Sequence, residues 1–312
     1  MALDIPAKLQ WEANYGYCGE LSFISAGLYF GQYLSQYDAR ALATPGVSQS
    51  KSSSQLLLDA NEDTAATAMK LSYQIWPKNG DPNAFLLWAK NHMLANHVVI
   101  FGLSENYNVF PGDSPGGNYD HIVPFTGFSS SGPITSQTVS SSDVVTFNDL
   151  GDDVQTGVNP ASAAIIFKYM ISNFILARAQ VPAQQPYFLS NNEESGIAIL
   201  GVADPNKETL PVQIKTNNDR ELQEMVDGSS TRPAATSITL TITVFNLIPG
   251  IKYNLYKYTS FTNVPTTGFN AAAGNAASVT NINITSGSTY TTTATIMSNE
   301  MAIYRAVPAS GP

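Results

Sequence analysis

Cysteine is almost absent from this chain: its 312 residues hold one, Cys18. A lone thiol excludes an intramolecular disulfide, so the redox compartment is not set by that route. Charge is scarce as well. Charged residues make up 12% of the chain, and the 24 acids against 15 bases leave a net charge of -9. Binding to nucleic acid needs a basic stripe along the phosphates, and none is present, so nucleic acid is excluded as a partner. The same shortage of lysine and arginine argues against a helix lying on a membrane surface. No apolar run approaches the ~20 residues that cross a bilayer, so no membrane span is expected. Three widely separated histidines and one cysteine make no zinc pattern, and the twelve-residue EF-hand spacing is missing. The glycine-rich segment Pro111–Asn118 lacks the lysine and following helix of a phosphate loop. Neither a metal nor a cofactor is expected, and the sequence says nothing of oligomeric state.

What is present suits a folded domain pair. Hydrophobic residues reach 43%, enough for a sizeable core, and the length suggests two domains. Abundant Ser, Thr, Asn and Tyr with few charges lean toward a secreted or extracellular protein, with a cytoplasmic one left open. Met1-Ala2-Leu3 begins neither a basic n-region nor an apolar h-region: a signal has been removed and a start methionine added, or none existed.

The chain changes character near residue 190. Its first part mixes predicted helices (Cys18–Tyr37, Asp63–Ile75, Asn83–Leu94, Pro160–Ala177) with predicted strands (His97–Leu103, His121–Phe128, Asp143–Phe147). Residues 180–196 have the proline and polar content of a linker. Beyond it, Ile238, Leu240, Ile242 and Val244 alternate with threonine before Pro249-Gly250, which predicts a strand, a turn and a return strand through Tyr253 and Leu255 in one antiparallel hairpin. With the strands from Gly196 onward, Thr285–Ile296 and Met301–Val307 bring the number to about seven, as a β-sandwich requires; Phe261–Asn281 reads as an exposed loop. The expected class is α+β, with residues 1–190 as one domain and 191–312 as an antiparallel sandwich.

Two local patterns carry chemistry. Cys18 precedes Leu21, Ile24, Leu28 and Leu34 at near-helical spacing, which places the thiol in a first helical turn, where the dipole favours a thiolate. A free thiol titrates near ~8.5, so a nucleophilic cysteine also needs an imidazole. His92 and His97 read as structural residues at a helix end and a strand start. His121 instead follows a glycine-rich loop and opens an apolar strand, a junction that functional residues favour. Against this stands the commoner role of a lone cysteine as a small buried hydrophobe.

Gln10, Cys18-Gly19, His121 with Val123 and Gly127, and the strand ending in Asn148-Asp149 together resemble the papain-like cysteine peptidases. Within them the pattern is most similar to the double-glycine leader peptidases that process bacteriocins, over roughly residues 8 to 155. The resemblance implies that Cys18 attacks a carbonyl, that His121 holds and returns the proton, and that Asn148, or alternatively Asp149, orients the ring. Gln10, with the backbone N–H of Cys18, would form the oxyanion hole. Gln10 stands further from the cysteine than the family pattern has it, so an extra turn or Asn14 as substitute donor is expected. Glu20 is unusual for the family, and would meet the helix dipole or a basic group of the substrate. A start so close to Gln10 is expected to leave no room for an inhibitory propeptide. Downstream, the Leu247-x-Pro249-Gly250-x-x-Tyr253 pattern resembles fibronectin type III modules, whose tyrosine packs at a sandwich corner.

The expected activity is therefore hydrolysis of peptide or amide bonds, on a peptide or protein substrate, through a Cys18 thioester. Two alternatives stay open. One is an acyltransferase or peptide ligase using the same triad, and the other is a non-catalytic binding or adhesion protein on this scaffold.

Overall fold

The computed structural model describes residues 1–78, 81–106, 118–149, 165–170, 194–218 and 223–309. The chain is mixed helix and antiparallel sheet, as an α+β reading requires.

Helix α1 (Cys18–Tyr29) is buried along almost its whole length. The run expected to stay helical to Tyr37 breaks at Gly31, whose φ of +73° is a left-handed helix terminator. A side chain there would also run into Val212, whose Cβ lies 2.9 Å from the position of the missing Cβ. After this break come a two-residue strand β1 (Gln32–Tyr33) and α2 (Gln36–Ala43), where the Ser35 side chain accepts from the Asp38 N–H. The expected helix over Asp63–Ile75 divides likewise into α3 (Glu62–Ala68) and β2 (Leu71–Ile75), with left-handed Lys70 between them at φ 54°. Helix α4 (Pro82–Leu94) forms as the sequence suggests. Pro82 opens it, and Asp81 Oδ1 accepts from the Asn83 and Ala84 N–H groups.

Strands β3 (Val98–Asn106), β4 (Asn118–Ser129) and β5 (Val144–Asp149) follow, close to the expected positions. The apolar segment read as a helix over 160–177 is corrected where it is described: Ile165–Met170 is strand β6, paired with β5 from Val144↔Met170 to Asp149↔Ile165. A mostly apolar run has too little periodicity to separate a buried strand from a buried helix, and the edge of β5 decides. The rest of 160–177, and the linker up to residue 193, lie outside the described residues.

A second correction concerns β7 (Gly196–Val202), which was expected to open the sandwich. It lies between β2 and β3 in a six-stranded sheet of order β2-β7-β3-β4-β5-β6. Gly196 is required there, because a Cβ would come within 2.9 Å of the Phe85 ring. The change of architecture therefore falls between Val202 and Val212, later than the expected boundary at 190.

Two smaller antiparallel sheets follow. Strands β8 (Val212–Thr216), β9 (Ser237–Val244) and β12 (Tyr290–Met297) form one, in the order β12-β9-β8. Strands β10 (Lys252–Tyr258), β11 (Ser278–Asn283) and β13 (Ala302–Pro308) form the other, and β1 from the first lobe completes it in the order β1-β13-β10-β11. The expected hairpin of β9 and β10 is thus not a hairpin: the two strands belong to different sheets. Each buries alternate residues, Ile238 to Val244 on β9 and Tyr253 and Leu255 on β10, so the Pro249-Gly250 turn carries the chain from one sheet to the other. At that corner the Tyr253 hydroxyl accepts the Ile248 N–H at 2.9 Å. The segment expected to be an exposed loop packs inward through Phe261, Val264 and Phe269 before becoming β11. Among the described residues no helix is long and apolar enough to cross a membrane.

Candidate active site

Cys18 is the first residue of α1 and is half-buried. The first-turn N–H groups of the helix, unpaired within it, face the neighbourhood of the thiol and favour negative charge there. The helix start is pressed against the segment before α3. A β-carbon on Gly19 would lie 1.9 Å from the Leu56 carbonyl oxygen, so the glycine of the Cys-Gly pair is a packing requirement. Ser22, one turn on, sits 2.8 Å from Cys18 O and 2.9 Å from Ile122 O, and its hydroxyl can donate to either. Helix α1 and strand β4 therefore meet one residue from His121. The Ile122 side chain takes part, with Cδ1 3.5 Å from the missing Gly19 Cβ.

The turn leading into Cys18 has three consecutive left-handed residues, Asn14, Tyr15 and Gly16, at φ 51°, 70° and 80°. Asparagine and glycine adopt this region readily and tyrosine does not, so the turn must be held from outside. Arg40, fully buried, does much of the holding. Its Nη1 donates to Asn14 O at 3.0 Å, its Nη2 donates to Gly16 O, and its Cζ lies 3.5 Å from the centre of the Tyr17 ring. Its Nε is 2.5 Å from Glu20 Oε1, which also accepts the Leu56 N–H at 2.9 Å. Burial pushes the Tyr17 phenol up to about 12, so it stays a neutral donor to Gln49 Oε1 at 3.0 Å. The expectation that Glu20 meets the substrate is corrected here: the carboxylate is 1% exposed and committed to Arg40 and Leu56.

Gln10 is buried beside Gly16, with Nε2 3.8 Å from where a Gly16 Cβ would stand and 3.2 Å from Glu12 Oε1. Its Oε1 is buried without a partner. Asn14, the substitute donor, is engaged elsewhere: Nδ2 donates to Ser229 O at 2.8 Å and Oδ1 accepts the Gly228 N–H at 2.7 Å.

His121 lies on β4 opposite Leu103 of β3 and is 3% exposed. Asn148, on the adjacent β5, is buried, with Nδ2 3.5 Å from Ile5 O, a long contact. Register separates these two. Phe125 pairs with Phe147, so strand alternation puts His121, Val123, Phe125 and Phe147 on one face and position 148 on the other. The glycine-rich loop before His121 lies outside the described residues from 107 to 117.

The other two histidines form a separate cluster. His92 Nδ1 and His97 Nδ1 are 3.0 Å apart at the end of α4, with the Trp88 ring 4.6 Å from that of His92. Burial, and then the neighbouring ring, lower His92 to about 4; burial also lowers His97. His92 is therefore neutral at pH 7. Among the described residues no three His, Cys, Asp or Glu side chains converge as metal ligands would.

Sequence reasoning missed Arg40, Ser22 and the residues around Asp227 that meet Asn14. Only the Asn14-Tyr15-Gly16 turn had a local signal, an asparagine and a glycine flanking one residue. The chain matches no known family model and no curated protein.

Proposed function

We propose that the protein is a papain-like cysteine peptidase, acting on a peptide or protein substrate, with a C-terminal fibronectin type III-like module. The observation that carries the reading is the half-buried Cys18 at the start of a buried helix, reached through a braced left-handed turn beside the Gln10 amide. The corner formed by Tyr253 and Ile248 supports the module. The low charge favours an exported protein.

In this reading the Cys18 thiolate attacks the scissile carbonyl carbon. The Gln10 amide and the Cys18 N–H donate to the oxyanion, and His121 protonates the departing amine. Water then gives a proton to His121 and attacks the thioester, releasing the acid and restoring the Cys18 thiolate beside a protonated His121. Asp149, the alternative to Asn148, takes the orienting role in this reading, because strand alternation from the Phe125–Phe147 pair puts position 148 on the face away from His121. If an amine replaces water as acceptor, the same steps make a transferase.

The test is the iodoacetamide alkylation rate of Cys18, read by intact mass as a ratio between pH 6.5 and pH 9. A high ratio in the wild type that collapses in His121→Ala and Asp149→Ala, and survives in Asn148→Ala, supports the assignment. Product masses with and without added glycinamide separate hydrolase from transferase. A second reading, a papain-like lobe kept for binding, is favoured by the 3% exposure of His121. It predicts a low ratio in every variant, and unchanged ligand binding in Cys18→Ala.

A further inference from the structure

Strands β8 and β9 are antiparallel neighbours, yet the connection between them runs from 217 to 236. None of its described residues, 217–218 and 223–236, lies in a helix or strand, and connections of that length are uncommon in compact domains and often functional. This one leaves its own sheet and comes down on the turn before Cys18. Met225 is 5% exposed and packs with Trp11, Ala13 and Tyr17 in a small core of their own. Asp227 Oδ1 accepts the Asn14 N–H at 2.8 Å, the Gly228 N–H reaches Asn14 Oδ1 at 2.7 Å, and Asn14 Nδ2 reaches Ser229 O at 2.8 Å. Every polar group of the Asn14 side chain, and its backbone N–H, is thereby bound to three consecutive residues more than 200 positions away. Further along, Ser230 contacts Ser48 Oγ and the Ser50 N–H, and its carbonyl accepts from the Tyr37 hydroxyl at 3.3 Å. Arg232 pairs with Asp38 and stacks on Tyr37, 4.7 Å from the ring centre.

We propose that residues 225–230 are a strap by which the C-terminal sheets hold the nucleophile in place, with Asn14 and Asp227 as its positioning residues. This rests on the reading of Cys18 as the nucleophile. The physical case is the direction of the constraint. Arg40 braces the turn from inside through carbonyls of Asn14 and Gly16, which leaves the Asn14 N–H and side chain to be held from the other side. The strap supplies that second hold. A left-handed non-glycine pair loses its conformation when its contacts go, and the orientation of Tyr17, the N-cap of α1, goes with it.

The test uses the full chain with Asn14→Gly, which keeps the left-handed preference and removes the side-chain bonds, with Asp227→Ala, and with Asp227→Asn, which keeps an accepting Oδ1. Two readouts are taken: amide hydrogen exchange over residues 13–19, and the pH 6.5 to pH 9 ratio of iodoacetamide alkylation. The expected result is exchange faster by about tenfold in Asn14→Gly and Asp227→Ala, the factor for one lost hydrogen bond, with amides of β9 and β12 unchanged. The alkylation ratio falls by a similar factor in those two variants, and Asp227→Asn restores both readouts. Unchanged exchange at 13–19 overturns the strap. Faster exchange with an unchanged or rising ratio overturns its positioning role and makes the segment a brace or a cover. A wild-type ratio no higher than that of an ordinary thiol fails the nucleophile reading itself, and the positioning claim with it.

Discussion

Replacing Arg40 by alanine is the sharpest probe of how the turn before Cys18 is built. The guanidinium meets Glu20, the carbonyls of Asn14, Gly16 and Gln49, and the face of Tyr17, with both members of the ion pair at most 1% exposed. Removing the arginine leaves the Glu20 carboxylate buried with the Leu56 N–H, and breaking a buried pair from one side costs about 3–5 kcal/mol. The abandoned carbonyls add to this, at ~1–3 kcal/mol for each one that water does not reach. Arg40→Ala should therefore destabilise by ~4 kcal/mol or more. Arg40→Met combined with Glu20→Gln should recover most of the loss, because removing both charges removes the desolvation cost that the pair offsets. Urea unfolding of the wild type, Arg40→Met, Glu20→Gln and the double variant gives a thermodynamic cycle. Tryptophan fluorescence is a suitable probe, since Trp11 stacks edge-on to Tyr17 at 5.1 Å. A loss under ~1 kcal/mol in Arg40→Ala, or a coupling below ~0.5 kcal/mol, would refute the argument that the pair is structurally decisive.

Other outcomes follow from single contacts. Gly19→Ala should cost ~3 kcal/mol or leave no folded protein, because its Cβ meets the Leu56 carbonyl oxygen rather than a side chain able to rotate away; thermal unfolding and soluble yield decide. Tyr253→Phe should lose ~0.5–1.5 kcal/mol, the net worth of the hydroxyl's bond with the Ile248 N–H at the sheet corner, and an unchanged stability by urea titration counts against the corner bond. His92 and His97 bind protons less readily folded than unfolded, so they add stability above the unfolded value of 6.5, and that stability is lost as pH falls through the folded value of about 4 for His92. His92→Asn should flatten the fall of stability across that window; an unchanged slope shows that the pair does not drive it.

Much of the fold could be read from the sequence where local signals and tertiary demand agree. Asp81-Pro82 announces α4, and the alternation of β9 survives intact. The misreadings cluster where one fragment had two consistent solutions. The run around Ile165–Met170 is mostly apolar, which suits either a helix or a strand, and only pairing with β5 chooses. The stretch after Tyr29 keeps helical spacing through Leu34, but Gly31 must pass Val212 too closely for a helix to continue. At the site, Cys18, Gln10 and His121 stood out as chemistry-bearing residues, while the parity of Asn148 and Asp149 required a register that no spacing supplies. Arg40 and Asp227 were invisible for a related reason: their partners are 20 and more than 200 residues away, and no periodic pattern connects them.

Strand β1 makes the two halves inseparable in time as well as in space. Its two residues close the outer edge of β13, and the Tyr33 hydroxyl donates to Ser298 O, 265 positions later. At a synthesis rate of ~5–20 residues per second, the segment just after α1 waits roughly 13–50 s for its partner to leave the ribosome. Until then the N-terminal lobe carries an unpaired strand, and a chain truncated after β7 carries it permanently, exposed to edge-to-edge association. Synthesis of this protein should therefore depend on a chaperone, or on slow solvation of that edge, in a way that a pair of independently folding modules would not.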